Sequence, residues 1–289
     1  MTGSSDVTVV VPTHRRNHFL PETIAAVVAQ ELAPAALVVS DDVGDPETRA
    51  IVEEWAGRAP FPVRYLDSSG PGAGTAGASR NAGAALATTS LLAFCDDDDV
   101  WHPGFLARLV PLLVEPGAEI AVAWGEDPSG ERHYARLPEG LQPQDVVGPN
   151  PGFGGCNFVI RAEAFEALGG YDPRLLVSED KDLLVRALGA GMSYRVVPEV
   201  LVHYRTHSRG RLTDKIEPRA TSIERFMAKH AELLGPVDTL YLRTQVASVR
   251  RVTAARRAAR LGYLAALVLG RLALVATGAW GRAAGVVRR

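Results

Sequence analysis

Five consecutive β-branched residues, Val7 to Val11, open the patterned part of the chain. A continuous β-branched run of this length reads as a buried strand. It ends at Pro12-Thr13-His14-Arg15-Arg16, and a helix follows over Pro21 to Gln30 with proline in its first turn. The same alternation then repeats. Leu37 to Ser40 reads as a strand, ended by Asp41-Asp42, and Pro46 to Arg58 as a helix whose early acidic residues suit the helix dipole. Val63 to Leu66 is a third strand, followed by the glycine-rich loop Gly70-Pro71-Gly72-Ala73-Gly74, an alanine-rich helix to about Ala87, and a strand over Leu91 to Cys95. Strands alternating with helices predict an α/β fold, a Rossmann-like and mostly parallel central sheet with flanking helices.

The second half is less regular. Phe105 to Leu113 reads as a helix and Ile120 to Trp124 as a strand. Gly125 to Pro151, rich in Pro, Gly and charge, reads as a long excursion. Asn157 to Ile160 is a strand, Arg161 to Leu168 a short helix, and Gly169-Gly170-Tyr171-Asp172-Pro173 a turn. Ser178 is placed to cap a helix beginning Glu179-Asp180-Lys181-Asp182, with Leu183, Leu184 and Leu188 on its apolar side. Two strands follow, Tyr194 to Val197 and Val200 to Tyr204, and from about Pro218 the pattern is helical. The expected division is an α/β unit over 1–215 and a helical, Arg-rich region over 216–289.

With 289 residues and 47% apolar content the chain can bury a large core. A net charge of -2 argues against a general nucleic-acid binder. Cys95 and Cys156 sit in apolar surroundings and read as buried free thiols. No basic-then-apolar leader opens the chain, so the expected compartment is the cytoplasm. Charge is uneven, however: no acidic residue follows Asp238, while ten arginines do, and Leu261 to Trp280 is almost wholly apolar except for Arg271. A membrane span wants about 20 apolar residues with few charges, and a central arginine costs about 2.5–3.5 kcal/mol on insertion scales. A helix lying in the membrane interface accommodates the arginines better. Packing on the α/β unit, homo-oligomerisation and peripheral contact with the inner face of a membrane all remain open for this tail.

The candidate chemistry gathers where strands end. Open sheets of this kind bind ligands beyond the carboxyl ends of their strands. There the sequence supplies Thr13 and Arg15, then Asp41 and Asp42, then Asp96 to Asp99. Acidic runs are ordinarily solvated turns. Here an apolar strand precedes the run and Val100-Trp101-His102-Pro103 follows it. Such a cluster repels itself unless a cation neutralises it, and Mg2+ or Mn2+, which take oxygen ligands, are the candidates.

Together these pieces resemble an inverting family-two glycosyltransferase of the GT-A fold. The matching stretches are Val9-Val10-Val11-Pro12-Thr13-His14-Arg15, Ser40-Asp41-Asp42, Ala78-Ser79-Arg80-Asn81-Ala82-Gly83, Phe94 to Trp101, Gly169-Gly170-Tyr171-Asp172, Ser178-Glu179-Asp180 and Tyr204-Arg205-Thr206-His207-Ser208. They span about residues 6 to 210. The second motif departs from the usual Asp-Asp-Gly-Ser, reading Asp-Asp-Val-Gly.

The resemblance implies transfer of a sugar from a nucleoside-diphosphate donor, a UDP-sugar being favoured, to an acceptor hydroxyl that the sequence does not identify. It implies Asp98 as the metal-touching member of an Asp-x-Asp pair with Asp96, and His207 as a further ligand. Pro12, Thr13, Arg15, Asp42, Arg80 and Asp96 would line the donor site. Asp180 would be the base and Glu179 its orienting neighbour. Asp97 and Asp99 would be outer or solvent-facing groups, and Trp101 a cover or sugar platform. A sugar-phosphate nucleotidyltransferase would want a basic Gly-rich signature after the first strand, where Pro12 to Arg16 stand. A catalytically silent nucleotide-sugar-binding protein would not need both the aspartate run and Asp180.

Overall fold

The computed structural model describes residues 5–114, 117–130, 134–205, 215–276 and 278. Its first half alternates as the pattern predicts: β1 (Val7–Thr13), α1 (Leu20–Val28), β2 (Ala36–Asp41), α2 (Pro46–Ala56), β3 (Val63–Asp67), α3 (Ala76–Ala84) and β4 (Leu91–Phe94). Then come β5 (Val100–Trp101), α4 (Phe105–Leu109), α5 (Pro111–Val114), β6 (Ile120–Glu126), α6 (Pro143–Val146), β7 (Phe158–Arg161), α7 (Ala162–Ala167), α8 (Glu179–Gly189) and β8 (Tyr194–His203). The tail forms α9 (Glu217–Lys229), a 3-10 turn at Ala231–Leu233, α10 (Pro236–Thr253) and α11 (Arg257–Ala276).

The strands form a single sheet in the order β3-β2-β1-β4-β7-β6-β8-β5. The first four are mutually parallel, and β7 runs antiparallel between β4 and β6. β8 is parallel to β6 and antiparallel to β5. The unbroken Val7 to Val11 run is explained by burial on two sides. Val7, Val9 and Val11 face a core with Leu20, Ile24, Val27 and Val52 from α1 and α2, whereas Val10 joins Phe94, Phe165, Leu183 and Leu184 on the other face. On that second face α3 lies so close that a Cβ at Gly83 would collide with Val10.

Three elements differ from expectation. The two strands expected around Pro198 are one strand, β8, whose register against β6 shifts between Ala123 and Trp124 and again before Gly125; an irregularity there accommodates a residue that has no amide to donate. The helix expected over Phe105 to Leu113 breaks into α4 and α5 at Pro111, which cannot continue the i→i−4 ladder. The excursion from Gly125 is partly ordered, since β6 runs on to Glu126 and α6 forms within it.

The C-terminal helices are tied to the sheet domain. α9 and α10 share a core of Ala220, Ile223, Phe226, Leu242, Val246 and Val249 with Leu175 of the segment before α8. Asp182 of α8, fully buried, accepts from His230 Nε2, Lys229 Nζ and Arg186 Nε, each at 2.8 Å. Hydrogen bonds from His230 and Lys229 and the nearby Arg186 charge hold its carboxyl below the usual range despite burial.

Candidate functional site

The parallel strands β1, β2 and β4 deliver their carboxyl ends side by side, and β1 is the central one, with neighbours on both sides. The aspartate run leaves β4 as a turn closed by the Asp99 amide on the Asp96 carbonyl at 3.1 Å. Thr23 of α1 lies 3.0 Å from the carbonyl oxygens of both Asp97 and Asp99. This turn sorts the four carboxylates by alternation. Asp96 and Asp98 keep 30% and 14% side-chain exposure, whereas Asp97 and Asp99 are buried.

The buried pair are therefore not solvent groups. Asp97 accepts from Thr13 Oγ1 at 2.7 Å and from Arg16 Nη1 at 3.0 Å, which pins the end of β1 to the run. Asp99 accepts from the Arg205 amide at 3.0 Å and from the Cys156 thiol at 3.1 Å. Burial, reinforced by the neighbouring aspartates, raises Asp97 to about 7 and Asp99 well above the ordinary carboxylate range. Arg16 also reaches Asp98 at 2.6 Å.

Pro12 is buried in β1, and Asp42 accepts from His14 Nδ1 at 2.6 Å. Its neighbour Asp41 is structural. It accepts from the amides of Val43 and Asp45 and from the Tyr65 hydroxyl, at 3.0, 2.6 and 2.9 Å. Arg15 takes a left-handed backbone (φ 53) and is exposed, so the guanidinium that faces the aspartates belongs to Arg16.

Arg80, on α3, is 2% exposed and joins two motifs. Its Nη2 lies 2.5 Å from Asp96 and its Nη1 3.0 Å from Glu179. The Tyr171 ring covers the guanidinium at 5.2 Å, and a Cβ at Gly155 would collide with Nη2. Asn81 fixes that tyrosine, donating to its carbonyl and accepting from its amide, both at 2.8 Å. Arg80 Nε and the Tyr171 hydroxyl are buried without a hydrogen-bond partner among the described residues.

Glu179 and Asp180 open α8. Ser178, expected to cap it, instead sits in the left-handed region (φ 66) and makes no side-chain cap. Burial raises Asp180 to about 7, with the Glu179 charge adding to it. Glu179 is likewise raised by burial, with Arg80 opposing. Lys181 is buried, donates to the carbonyls of Gly148 (2.6 Å) and Val147 (3.3 Å), lies 4.2 Å above the Phe226 ring, and is lowered by burial to about 8.

The donor set suits a hard cation. Asp96, Asp97, Asp98 and Glu179 converge on the two guanidiniums of Arg16 and Arg80, so that carboxyl groups outnumber the fixed cations there. One oxygen each of Asp96 and Asp99 and the Cys156 sulfur lie within 4.8 Å of one another. Burial holds the Cys156 thiol well above its usual range, so it is a protonated donor to Asp99 and not the thiolate a soft metal needs. His207 lies outside the described residues. Trp101 is not a sugar platform: it is 2% exposed, stacks on Phe105 at 4.1 Å and donates Nε1 to the Cys156 carbonyl at 2.8 Å.

Arg16, Tyr171, Lys181 and Cys156 were not named as site residues from sequence. Arg16 stood beside Arg15 and Lys181 beside Asp180. For Cys156, 57 residues from Asp99, no local signal exists.

The profile of Glycosyl transferase family 2 matches residues 8–169. Among curated proteins the chain is 30% identical over 147 residues to validoxylamine A glucosyltransferase of Streptomyces hygroscopicus subsp. limoneus, a match covering 49% of this chain and 32% of that protein. It is 29% identical over 245 residues to succinoglycan biosynthesis protein ExoO of Rhizobium meliloti, covering 78% and 69%. The chain thus spans about a third of the length of the first of these relatives. Among solved structures, mannosyltransferase PcManGT from Pyrobaculum calidifontis in complex with GDP-Man and Mn2+ superposes with a TM-score of 0.63 at 20% identity, covering 96% of this chain and 80% of that one. S. aureus TarS 1-349 in complex with UDP-GlcNAc superposes at 0.61 and 16% identity, covering 92% and 72%. At these identities the superpositions establish the fold, GT-A.

Proposed function

The chain belongs to glycosyl transferase family 2, and on that premise we propose that it moves a glycosyl group from a nucleoside-diphosphate sugar to an acceptor hydroxyl by a single, inverting displacement. The observation that carries this reading is the Arg80 bridge, which joins Asp96 at the aspartate run to Glu179, the residue preceding Asp180. One guanidinium thereby spaces the donor end of the site from the acceptor end.

The acceptor oxygen attacks the anomeric carbon from the face opposite the diphosphate. As that bond forms, the carbon–oxygen bond to the diphosphate breaks with its electron pair on the departing phosphate, and the acceptor's proton passes to Asp180. A carboxylate raised to about 7 binds that proton more strongly than an ordinary aspartate and remains substantially ionised at neutral pH. Glu179, fixed by Arg80, orients the acceptor. Asp42, with Pro12, Thr13 and Arg15, lines the nucleoside side, and Arg80 serves the donor through Asp96. Asp96 and Asp98, with His207, would hold Mn2+ or Mg2+, which when bound neutralises charge on the departing diphosphate. The ligands named for the two structural neighbours, UDP-GlcNAc and GDP-Man, share the diphosphate and differ in base, so the reading rests on the diphosphate, and a UDP-sugar remains the first donor to try.

The test is a panel of nucleoside-diphosphate sugars incubated with the full chain, with Mn2+ or with a chelator, following release of nucleoside diphosphate. Metal-dependent release from one donor, lost in Asp180→Asn, is expected. Donor-induced thermal stabilisation without release by the wild-type chain would instead mark a binding protein. Pyrophosphate release from a nucleoside triphosphate and a sugar phosphate would mark a nucleotidyltransferase.

A further inference from the structure

We propose that the outward face of α11 docks on an anionic lipid bilayer, with the helix lying in the plane of the headgroups. By length and composition α11 is the one helix among the described residues able to cross a membrane. Its packing argues for lying flat instead. One side, Leu267, Gly270 and Leu274, is buried; Gly270 sits so close to α10 that a Cβ there would collide with Thr244. α10 in turn is fixed to the sheet domain through the core shared with α9, and its Arg250 is paired with Glu217 and Glu224. Only one side of α11 is open to hydrocarbon.

That open side is apolar along its length. Leu261, Leu264, Val268, Leu269, Leu272 and Val275 are between 43% and 66% exposed, and they recur at helical spacing. At about 100° per residue, Leu261, Val268, Leu269 and Leu272 fall in one sector roughly 100° wide, opposite the buried side. Arg260 and Arg271 both fall about 110–130° from the centre of that sector, on the same flank. A helix resting on its apolar sector would bury it about 5–10 Å into the headgroup boundary and hold this flank at headgroup level.

Charge selects the occupant. Arg256, Arg257, Arg260 and Arg271 are exposed, and no acidic residue follows Asp238 in the sequence. A second copy packed symmetrically on this face would bring like-charged arginines together, whereas anionic headgroups complement them. Each basic residue near such a surface strengthens binding roughly fivefold.

Sedimentation of the full chain with vesicles tests this, using neutral phosphatidylcholine vesicles and vesicles with about 30% phosphatidylglycerol. The wild-type chain should bind the anionic vesicles at least about tenfold more tightly, with added salt weakening the interaction. Leu269→Glu/Leu272→Glu should lose at least about tenfold of that binding. Arg256→Gln/Arg257→Gln/Arg260→Gln should lose the preference for anionic lipid while keeping the apolar face. Thermal melts, little changed in both variants because every substituted side chain is exposed and, among the described residues, only Arg260 gives up a hydrogen bond, from Nε to the Ala254 carbonyl at 2.6 Å, separate lost binding from lost folding; should the glutamates unfold the chain, Leu269→Gln/Leu272→Gln replaces them. Equal, weak sedimentation with both vesicles overturns the proposal. So does a stable dimer by light scattering that dissociates in the leucine variant, which would make a second copy the occupant.

Discussion

Arg80 and Glu179, 99 residues apart in sequence, form a buried ion pair at 3.0 Å. The same guanidinium holds Asp96 at 2.5 Å. Removing one member of a buried pair strands its partner's charge and typically costs about 3–5 kcal/mol. Arg80→Ala should therefore lower stability by an amount of that order in urea unfolding. Arg80→Lys keeps the charge but replaces a planar fork with a point donor that cannot serve both carboxylates. Its expected signature is a kcat loss of at least about tenfold with a smaller stability change.

Gly155 tests the same pair from the backbone side. A Cβ there would collide with Arg80 Nη2, and overpacking of a filled interior costs about 1–3 kcal/mol. Gly155→Ala should lose stability in that range and lose transfer activity with it. An unchanged melting temperature would mean that the loop yields and the guanidinium is less confined than its contacts indicate.

The raised Asp180 sets a pH dependence. In the proposed mechanism its ionised form is the base, so kcat/KM should fall tenfold per pH unit below about 7 and level off above it. Stability runs the other way. A carboxyl whose native pKa exceeds its unfolded value binds its proton more tightly when folded, so its contribution declines as pH rises from about 4 to about 7. Asp180→Asn should accordingly melt at or above the wild-type temperature at pH 8 while losing transfer by at least about a hundredfold. Lower stability at that pH would mean that the ionised carboxylate is compensated by contacts beyond its 2.6 Å bond from the Lys181 amide.

These effects depend on contacts of unequal legibility. Val7 to Val11 announced a buried strand because a continuous β-branched run packs well between layers, and polar residues at the ends of β1, β2 and β4 pointed to the candidate site. Which neighbour of a pair faces inward was not legible. The left-handed turn at Arg15 hands the aspartates to Arg16, and the left-handed Ser178 replaces a side-chain cap. Both depend on tertiary constraints and not on propensity. Trp101 followed the acidic run and read as a site residue, yet β5 pairs with β8 and carries its ring into the core. Long-range partners such as Cys156 with Asp99 leave no mark in local sequence.

The alternation within the aspartate run yields the last test. Asp96 and Asp98 retain exposure, whereas Asp97 is bound to Thr13 and Arg16 and Asp99 to Cys156 and the Arg205 amide. Removing a cation ligand weakens metal binding more than disturbing a group behind it, and the latter typically costs 10–100-fold. Asp98→Asn should therefore lose at least about a hundredfold in Mn2+ affinity by calorimetry while leaving the fold intact. Asp99→Asn keeps an acceptor oxygen for the Arg205 amide and removes a carboxyl that burial disfavours as a charge. Its stability should change by no more than about 1 kcal/mol, with the smaller loss of metal affinity. If instead Asp99→Asn abolishes Mn2+ binding and Asp98→Asn spares it, the cation belongs with the Asp96, Asp99 and Cys156 group, and Asp99 replaces Asp98 as the partner of Asp96.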